Sequence, residues 1–264
     1  MMGLRKLRPG SPAGEMPFFD HLEELRWRIV WSLAALAVGT AIGFVLAMRY
    51  DVFSLLKRPV DPFIDGAELI ALSVTAPFMI TFQIALTIGV ILAAPIIVYQ
   101  IWSFLAPALT KREKRYITPA LYLGGVLFCG GVVMAYLYVL PMTLKFMGSF
   151  QSMSLRWALT ADFYFGFVLK LLVAFGLMFE LPVVVMILTA LGLVTSKFLA
   201  SKRRYAIGAM AVISALITPG DAITATIFMM GPLIALYEIS ILLAKMVERG
   251  KARHAAEDAL AEAQ

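Results

Sequence analysis

Five ionisable residues stand where charge is either useful or costly: Glu24 and Glu113 among cations, and Lys170, Glu180 and Glu238 inside otherwise apolar runs. Glu24 precedes Arg28 by four residues, and on spacing alone this is an i,i+4 surface ion pair worth roughly a few tenths of a kcal/mol. Glu113 is the lone acid of Lys111-Arg112-Glu113-Lys114-Arg115. It either neutralises its own loop or accepts a guanidinium fork from a partner, a paired charge-assisted bond that an ammonium cannot reproduce. A charge at mid-bilayer costs at least ~2.5–3.5 kcal/mol, so the three intramembrane groups must face protein, a wet cavity or a partner. Lys170 and Glu180 are ten residues apart, ~15 Å along a helix, too far for a direct pair. Glu238 is near enough to the inner end of its run to snorkel. Glu180 lies two residues before Pro182, which cannot donate to the carbonyl of Met178 and leaves a polar notch beside the carboxyl group.

Other chemistries find no set of residues. The only cysteine, Cys129, lies in an apolar run, and His21 and His254 lack further ligands at metal-binding spacing. No Gly-rich loop ending in Lys-Ser/Thr is present to cradle a nucleotide, and no nucleophile–base constellation is evident. Neither a cofactor nor enzymatic activity is expected. The net charge of +6 belongs to short segments between apolar runs, a topological pattern that argues against nucleic acid.

The elements that must position these groups are transmembrane helices. Of 264 residues, 61% are apolar, more than a soluble globule carries, so much of the surface must face lipid. The first run, Ile29–Met48, is read as an uncleaved anchor because no small-residue cleavage site follows it. The second, Phe78–Leu105, contains Pro95 as a kink, and the third is Ile117–Leu140. In the third, Ala120, Gly124, Gly131 and Ala135 form a small-residue face that admits another helix. The fourth, Phe163–Val194, is too long to cross straight and should bend at Pro182. The fifth, Ala206–Ile217, reaches only ~18 Å and spans only if the bilayer thins or flanking residues join the helix. A Pro219-Gly220 turn leads to the sixth, Ala222–Leu243. Before the first run, Met16 to Arg28 reads as an amphipathic interfacial helix with Asp20 and Glu23 as a capping box. The stretch Arg49 to Pro77 reads as a short interfacial helix and turn capping the bundle.

Seventeen of the 23 Lys and Arg residues fall before the first run, in 106–116, in 194–205 and after the sixth run, which assigns those segments to the cytoplasm. The expected fold is therefore an all-α integral membrane protein of six transmembrane helices, short in helices five and six, with both termini inside. Residues 1–264 form one membrane domain, with 1–15 and 250–264 as flexible cytoplasmic tails.

These landmarks together resemble the TatC family, the multispanning subunit of the twin-arginine protein translocase. The resemblance is carried by His21-Leu22-Glu23-Glu24-Leu25-Arg26, then Pro95 and Tyr99-Gln100-Ile101-Trp102-Ser103-Phe104-Leu105-Ala106-Pro107-Ala108-Leu109 running into Glu113. It continues through Ala174-Phe175-Gly176, Phe179-Glu180-Leu181-Pro182, and Thr218-Pro219 with Asp221. The resemblance implies a non-enzymatic receptor core in the cell inner membrane. Such a core recognises signal peptides with consecutive arginines and exports folded cargo with single-span TatA and TatB type subunits, in homo- and hetero-oligomers driven by the proton-motive force. It also implies that Glu24, Arg26, Phe104 and Glu113 serve signal-peptide binding, that Glu180 and Thr218 serve a groove for the single-span partners, and that Pro59 is a sensitive position of the first outer loop. Two carboxylates would offer separate forks to two guanidinium groups, giving Arg preference over Lys. The competing reading is an ion-coupled secondary transporter using Lys170 and Glu180 near a broken helix.

Overall fold

A computed structural model describes residues 18–64, 68–108, 111–149, 159–217 and 224–262. The described residues are helical apart from short connections and a single bridge between Ile70 and Thr160. In chain order the helices are α1 (Phe18–Arg49), α2 (Val52–Lys57), α3 (Ala76–Leu105), α4 (Lys111–Met134), α5 (Leu140–Ser149), α6 (Ala161–Phe179), α7 (Leu181–Ala190), α8 (Ser196–Ser201), α9 (Arg203–Ile217) and α10 (Thr224–Glu262). Among the described residues, five helical stretches are long and apolar enough to cross a membrane: His21–Arg49, Ala76–Leu105, Tyr122–Ser149, Ala161–Ala190 and Met229–Arg253. At 15 residues, α9 would reach about 22 Å, short of a ~30 Å hydrocarbon core.

The interfacial segment and the first apolar run are one continuous helix. Because α1 is already helical at Phe18, Asp20 lies inside it and cannot form the expected capping box, which requires a non-helical residue. The third run also extends further than its apolar pattern. A π-helical turn, Ala135–Val139, joins α4 to α5. Pro141 offers no N–H and its ring would press on the carbonyl of residue 137, so the wider winding just before it lets the helix continue to Ser149. The bend at Pro182 falls where expected: α6 ends at Phe179, α7 begins at Leu181 with proline in its first turn, and Glu180 occupies the break.

Small residues set which helices touch. On α4, Gly131 lies against α6 so closely that a Cβ there would come 2.6 Å from the Phe175 carbonyl, and Ala135, in the π turn that follows, is fully buried. On α6, Gly176 accommodates the Phe128 ring, 2.8 Å from where its Cβ would be. The Ala120 side chain lies outside the described ones. A second seam joins α1 to α3. A Cβ on Gly39 would sit 2.8 Å from the Gly89 carbonyl, and Gly43 meets the Ala85 carbonyl closer still. That seam, Gly39-x3-Gly43 facing Ala85-x3-Gly89, is the close-approach pattern of membrane helices. It is legible in the sequence and was absent from the expectations.

One end of the bundle is closed by α2, as the loop composition predicted. Asp51 caps it by accepting from the Ser54 N–H at 3.2 Å, and hydrogen bonds from Ser54 hold the Asp51 carboxyl below its usual range. Leu56, Val60 and Ile64 then drive into the largest core cluster, with Ile80, Leu140, Phe165, Val168 and Phe175. The Tyr164 hydroxyl donates to the Leu56 carbonyl at 2.7 Å and the Tyr136 hydroxyl to that of Leu55 at 2.5 Å. Half-buried Pro59 lies in the turn between Leu56 and Val60.

The other end is tied by polar contacts around α10. Glu248 accepts from the Ser196 N–H at 2.7 Å and from its hydroxyl at 2.5 Å. Lys251 donates to the Ala190 carbonyl, Tyr237 to that of Leu199 at 2.9 Å, and Arg203 forks onto Glu238 at 2.7 and 2.8 Å. Trp102, Ile187, Ala190 and Val247 pack beneath. The cation-bearing segments around Lys202 and Lys245 thus gather at the end where α3 finishes, and α10 continues beyond Lys251 to Glu262.

Candidate functional site

The α1–α3 seam brings the first quoted motif against the second. Two turns into α1, Glu24 receives a guanidinium fork from Arg28, at 2.5 Å from Nη2 and 3.2 Å from Nε, all on its Oε1. The third nitrogen, Nη1, donates to Gln100 Oε1 of α3 at 3.2 Å. The His21 ring stacks on Phe104, centroids 4.3 Å apart and planes 12° from parallel, and its Nδ1 lies 3.8 Å from Glu24 Oε2. That second oxygen is buried and has no hydrogen-bond partner among the described residues. Beside this constellation runs an apolar groove of 240 Å³ between α1 and α3, bounded by Leu25, Ile29, Gln100, Ile101 and Phe104.

Glu24 and Phe104 are therefore brought together, with His21 between them. The spacing argument found the Glu24–Arg28 pair but missed its cross-helix partner Gln100, although Gln100 lies within the quoted motif. Arg26 is exposed and points away from the pair, as its position two residues after Glu24 requires. Glu113 lies in the first turn of α4, joined to Phe104 by the short connection after α3; its side chain lies outside the described ones, and Thr218 lies outside the described residues.

Glu180 occupies a different place. Its carboxylate packs over Gly124 of α4, whose added Cβ would come 2.7 Å from Oε2, and its Oε1 is buried without a hydrogen-bond partner among the described residues. Gly124 thus makes room for a carboxylate that α6 and α7 aim into the bundle from their shared break. Lys170 is exposed and borders a groove toward α3. The two groups proposed for ion coupling face different helices, and the structure does not bring them together. Glu238 does not simply snorkel; it ends in the Arg203 fork.

The model of the family described as TatC, Sec-independent protein translocase protein, matches residues 20–232, which include His21, Glu24, Gln100, Phe104 and Glu180. The chain belongs to the TatC family. It is 43% identical over 239 residues to the Sec-independent protein translocase protein TatC of Aquifex aeolicus, covering 89% of this chain and 98% of that relative. It is 34% identical to the TatCy protein of Bacillus subtilis, covering 92% and 94% of the two chains. A crystal structure of the twin-arginine translocase receptor TatC superposes with a TM-score of 0.77 at 42% identity, over 86% of this chain and 99% of that one. The fold of this TatC-family chain is thus shared across nearly its whole described length.

Proposed function

We propose that this TatC-family chain is the signal-peptide receptor and core subunit of a twin-arginine translocase, exporting folded proteins across an energised cytoplasmic membrane with TatA- and TatB-type single-span partners. The observation that carries the reading is Glu24: one carboxylate oxygen is held by Arg28, and the other is buried, without a hydrogen bond among the described residues and beside a histidine stacked on Phe104. This half-satisfied carboxylate has capacity for one more guanidinium, because an ionised carboxylate can accept at both oxygens. An arriving arginine displaces His21 from above Oε2, while the fork from Arg28, itself braced by Gln100, keeps the carboxylate oriented. Glu113 offers a second carboxylate to the next arginine, exposed Arg26 meets the peptide from the face of α1 turned away from the pair, and the peptide's apolar stretch follows the groove past Ile29 and Ile101. An ion-coupled transporter built on Lys170 and Glu180 finds no support in two side chains that face different helices.

The same reading places both termini in the cytoplasm. Six transmembrane helices satisfy that parity: the five long stretches and α9, which completes a short hairpin with α10. The cation bias supports this sidedness, as does the gathering of the Lys202, Lys245 and Arg28 segments at one end. Glu180, with a buried oxygen unpartnered among the described residues, serves the single-span partners together with Thr218, and Pro59 holds the turn between the two core anchors of the outer cap.

Signal-peptide crosslinking to the purified chain tests the receptor role. Hydrogen bonds to charged groups contribute about 1.5–3 kcal/mol, so Glu24→Ala or Glu113→Ala should weaken binding about ten- to hundredfold. Unchanged binding in both variants and in their double mutant would remove the site. Glu180→Ala should leave peptide binding intact and impair crosslinking to single-span subunits more than Glu180→Gln does. Loss of peptide binding with assembly retained would reverse the assignment.

A further inference from the structure

The groove between α3 and α6 has a volume of 730 Å³ and is lined along α6 from Asp162 to Leu177, with Leu86, Phe163, Phe167 and Val173 as its apolar walls. Among the described residues its ionisable groups are Asp162, near the start of α6, and Lys170, eight residues further along; Gln83 and Thr87 of α3 are the neutral polar groups of the lining. Both charged side chains are exposed, and neither makes an ion pair or hydrogen bond among the described residues. A lysine within an apolar run must meet a wet cavity or a partner, and the described residues supply no anion in contact with it.

The length of the groove identifies the class of occupant. From Asp162 to Leu177 is 15 residues along α6, about 22 Å. One leaflet is half of a ~30 Å core plus a headgroup layer of about 5–7 Å, or roughly 20–22 Å, whereas a membrane-spanning helix needs ~30 Å of face. The charges also match in order. Asp162 and Lys170 are about 12 Å apart along the axis, and a lysine side chain leaning toward the helix N-terminus closes about half of that. An ammonium beside Asp162 and a phosphate on Lys170, one headgroup apart, is the arrangement of an aminophospholipid with its chains running down toward Leu177.

We propose that this groove is a binding site for one aminophospholipid of the leaflet on the α2 side of the bundle, its phosphate held by Lys170 and its primary ammonium by Asp162. Native mass spectrometry of the detergent-purified full chain, titrated in turn with phosphatidylethanolamine, phosphatidylcholine and phosphatidylglycerol, reads the site directly. The parent should retain phosphatidylethanolamine at least fivefold better than phosphatidylcholine, whose methylated ammonium cannot donate to Asp162. Lys170→Gln should lose at least fivefold in retention of every phospholipid, with Lys170→Arg restoring it. Asp162→Asn should abolish the preference between the ethanolamine and choline headgroups while keeping the phosphate bond. Because both side chains are exposed, each variant should stay monodisperse with an unchanged melting temperature. Equal retention of the two headgroups by the parent, or undiminished retention by Lys170→Gln, would overturn the proposal. So would crosslinking from position 170 to a partner helix carboxylate in place of lipid.

Discussion

Adding one methyl group to Gly89 should separate two helices that are in backbone contact. An ideal Cβ at this position would lie 2.6 Å from the Thr40 nitrogen and 2.8 Å from its Cα, both main-chain atoms of α1, and 2.5 Å from Thr40 Oγ1. The hydroxyl could rotate away were it not bonded to the Leu36 carbonyl at 2.8 Å, but the backbone atoms cannot. Non-bonded carbons prefer about 3.5–4.0 Å, so α1 and α3 must part by roughly 1 Å, which forfeits a quarter to a half of the dispersion attraction along their seam. Overpacking of this kind costs about 1–3 kcal/mol, against which Ala gains about 1 kcal/mol of helix propensity over Gly. Gly130 on α4 is the internal control, because a Cβ there meets nothing within 4 Å and Gly130→Ala collects the propensity gain alone. The two variants, one methyl each, should therefore differ by about 1–3 kcal/mol in denaturant-micelle unfolding followed by circular dichroism, with Gly89→Ala the less stable. Equal midpoints, or a more stable Gly89→Ala, would refute the claim that backbone contact at Gly89 holds α1 to α3.

Two further outcomes follow from local geometry. Glu248→Ala strands the N–H and hydroxyl of Ser196, which is buried, and should cost about 1–3 kcal/mol in the same unfolding assay, while Glu248→Gln, which keeps an acceptor, should cost less. The Asp51 cap should report pH. A carboxyl group held below its usual range stabilises α2 above the ordinary value of about 4 and stops doing so as pH falls through the lowered one. Amide exchange across Val52–Lys57, corrected for intrinsic rates, should thus be steady from neutral pH down to about 5, rise on further acidification, and become insensitive to pH in Asp51→Asn; a steady profile in the parent would contradict the cap.

The features legible in the sequence were those written as local pattern. Uninterrupted apolar runs gave the long helices, Pro182 the break at Glu180, small residues at helical spacing the α4–α6 seam, and Leu55, Leu56 and Pro59 a capping turn. What escaped depended on neighbours distant in the chain. Pro141 by itself reads as a helix end, and nothing in the apolar pattern shows that a π turn will carry the helix past it, with Tyr136 of that turn reaching the Leu55 carbonyl across the bundle. Asp20 and Glu23 have the spacing of a capping box, yet the helix starts earlier and makes them ordinary turns of α1. Within the candidate site, Glu24 and Arg28 were readable as an i,i+4 pair, but the stacking of His21 on Phe104 and the bond from Arg28 to Gln100 join residues 83 and 72 positions apart, a separation that no periodicity encodes.

The glycine seam between α1 and α3 has a mechanical consequence. Helices that touch through side chains can slide or splay while rotamers readjust, but helices that touch through main chain have nothing soft between them. Gly39, Gly43 and Gly89 therefore make α1 and α3 a stiff paired strut, with the His21–Phe104 stack at one end and α2 at the other. A force applied at the stack should therefore not be dissipated midway along the pair; the two helices should tilt as a unit, and the α2 cap, bolted by Tyr136 and Tyr164 to the opposite half of the bundle, is where that tilt must be absorbed.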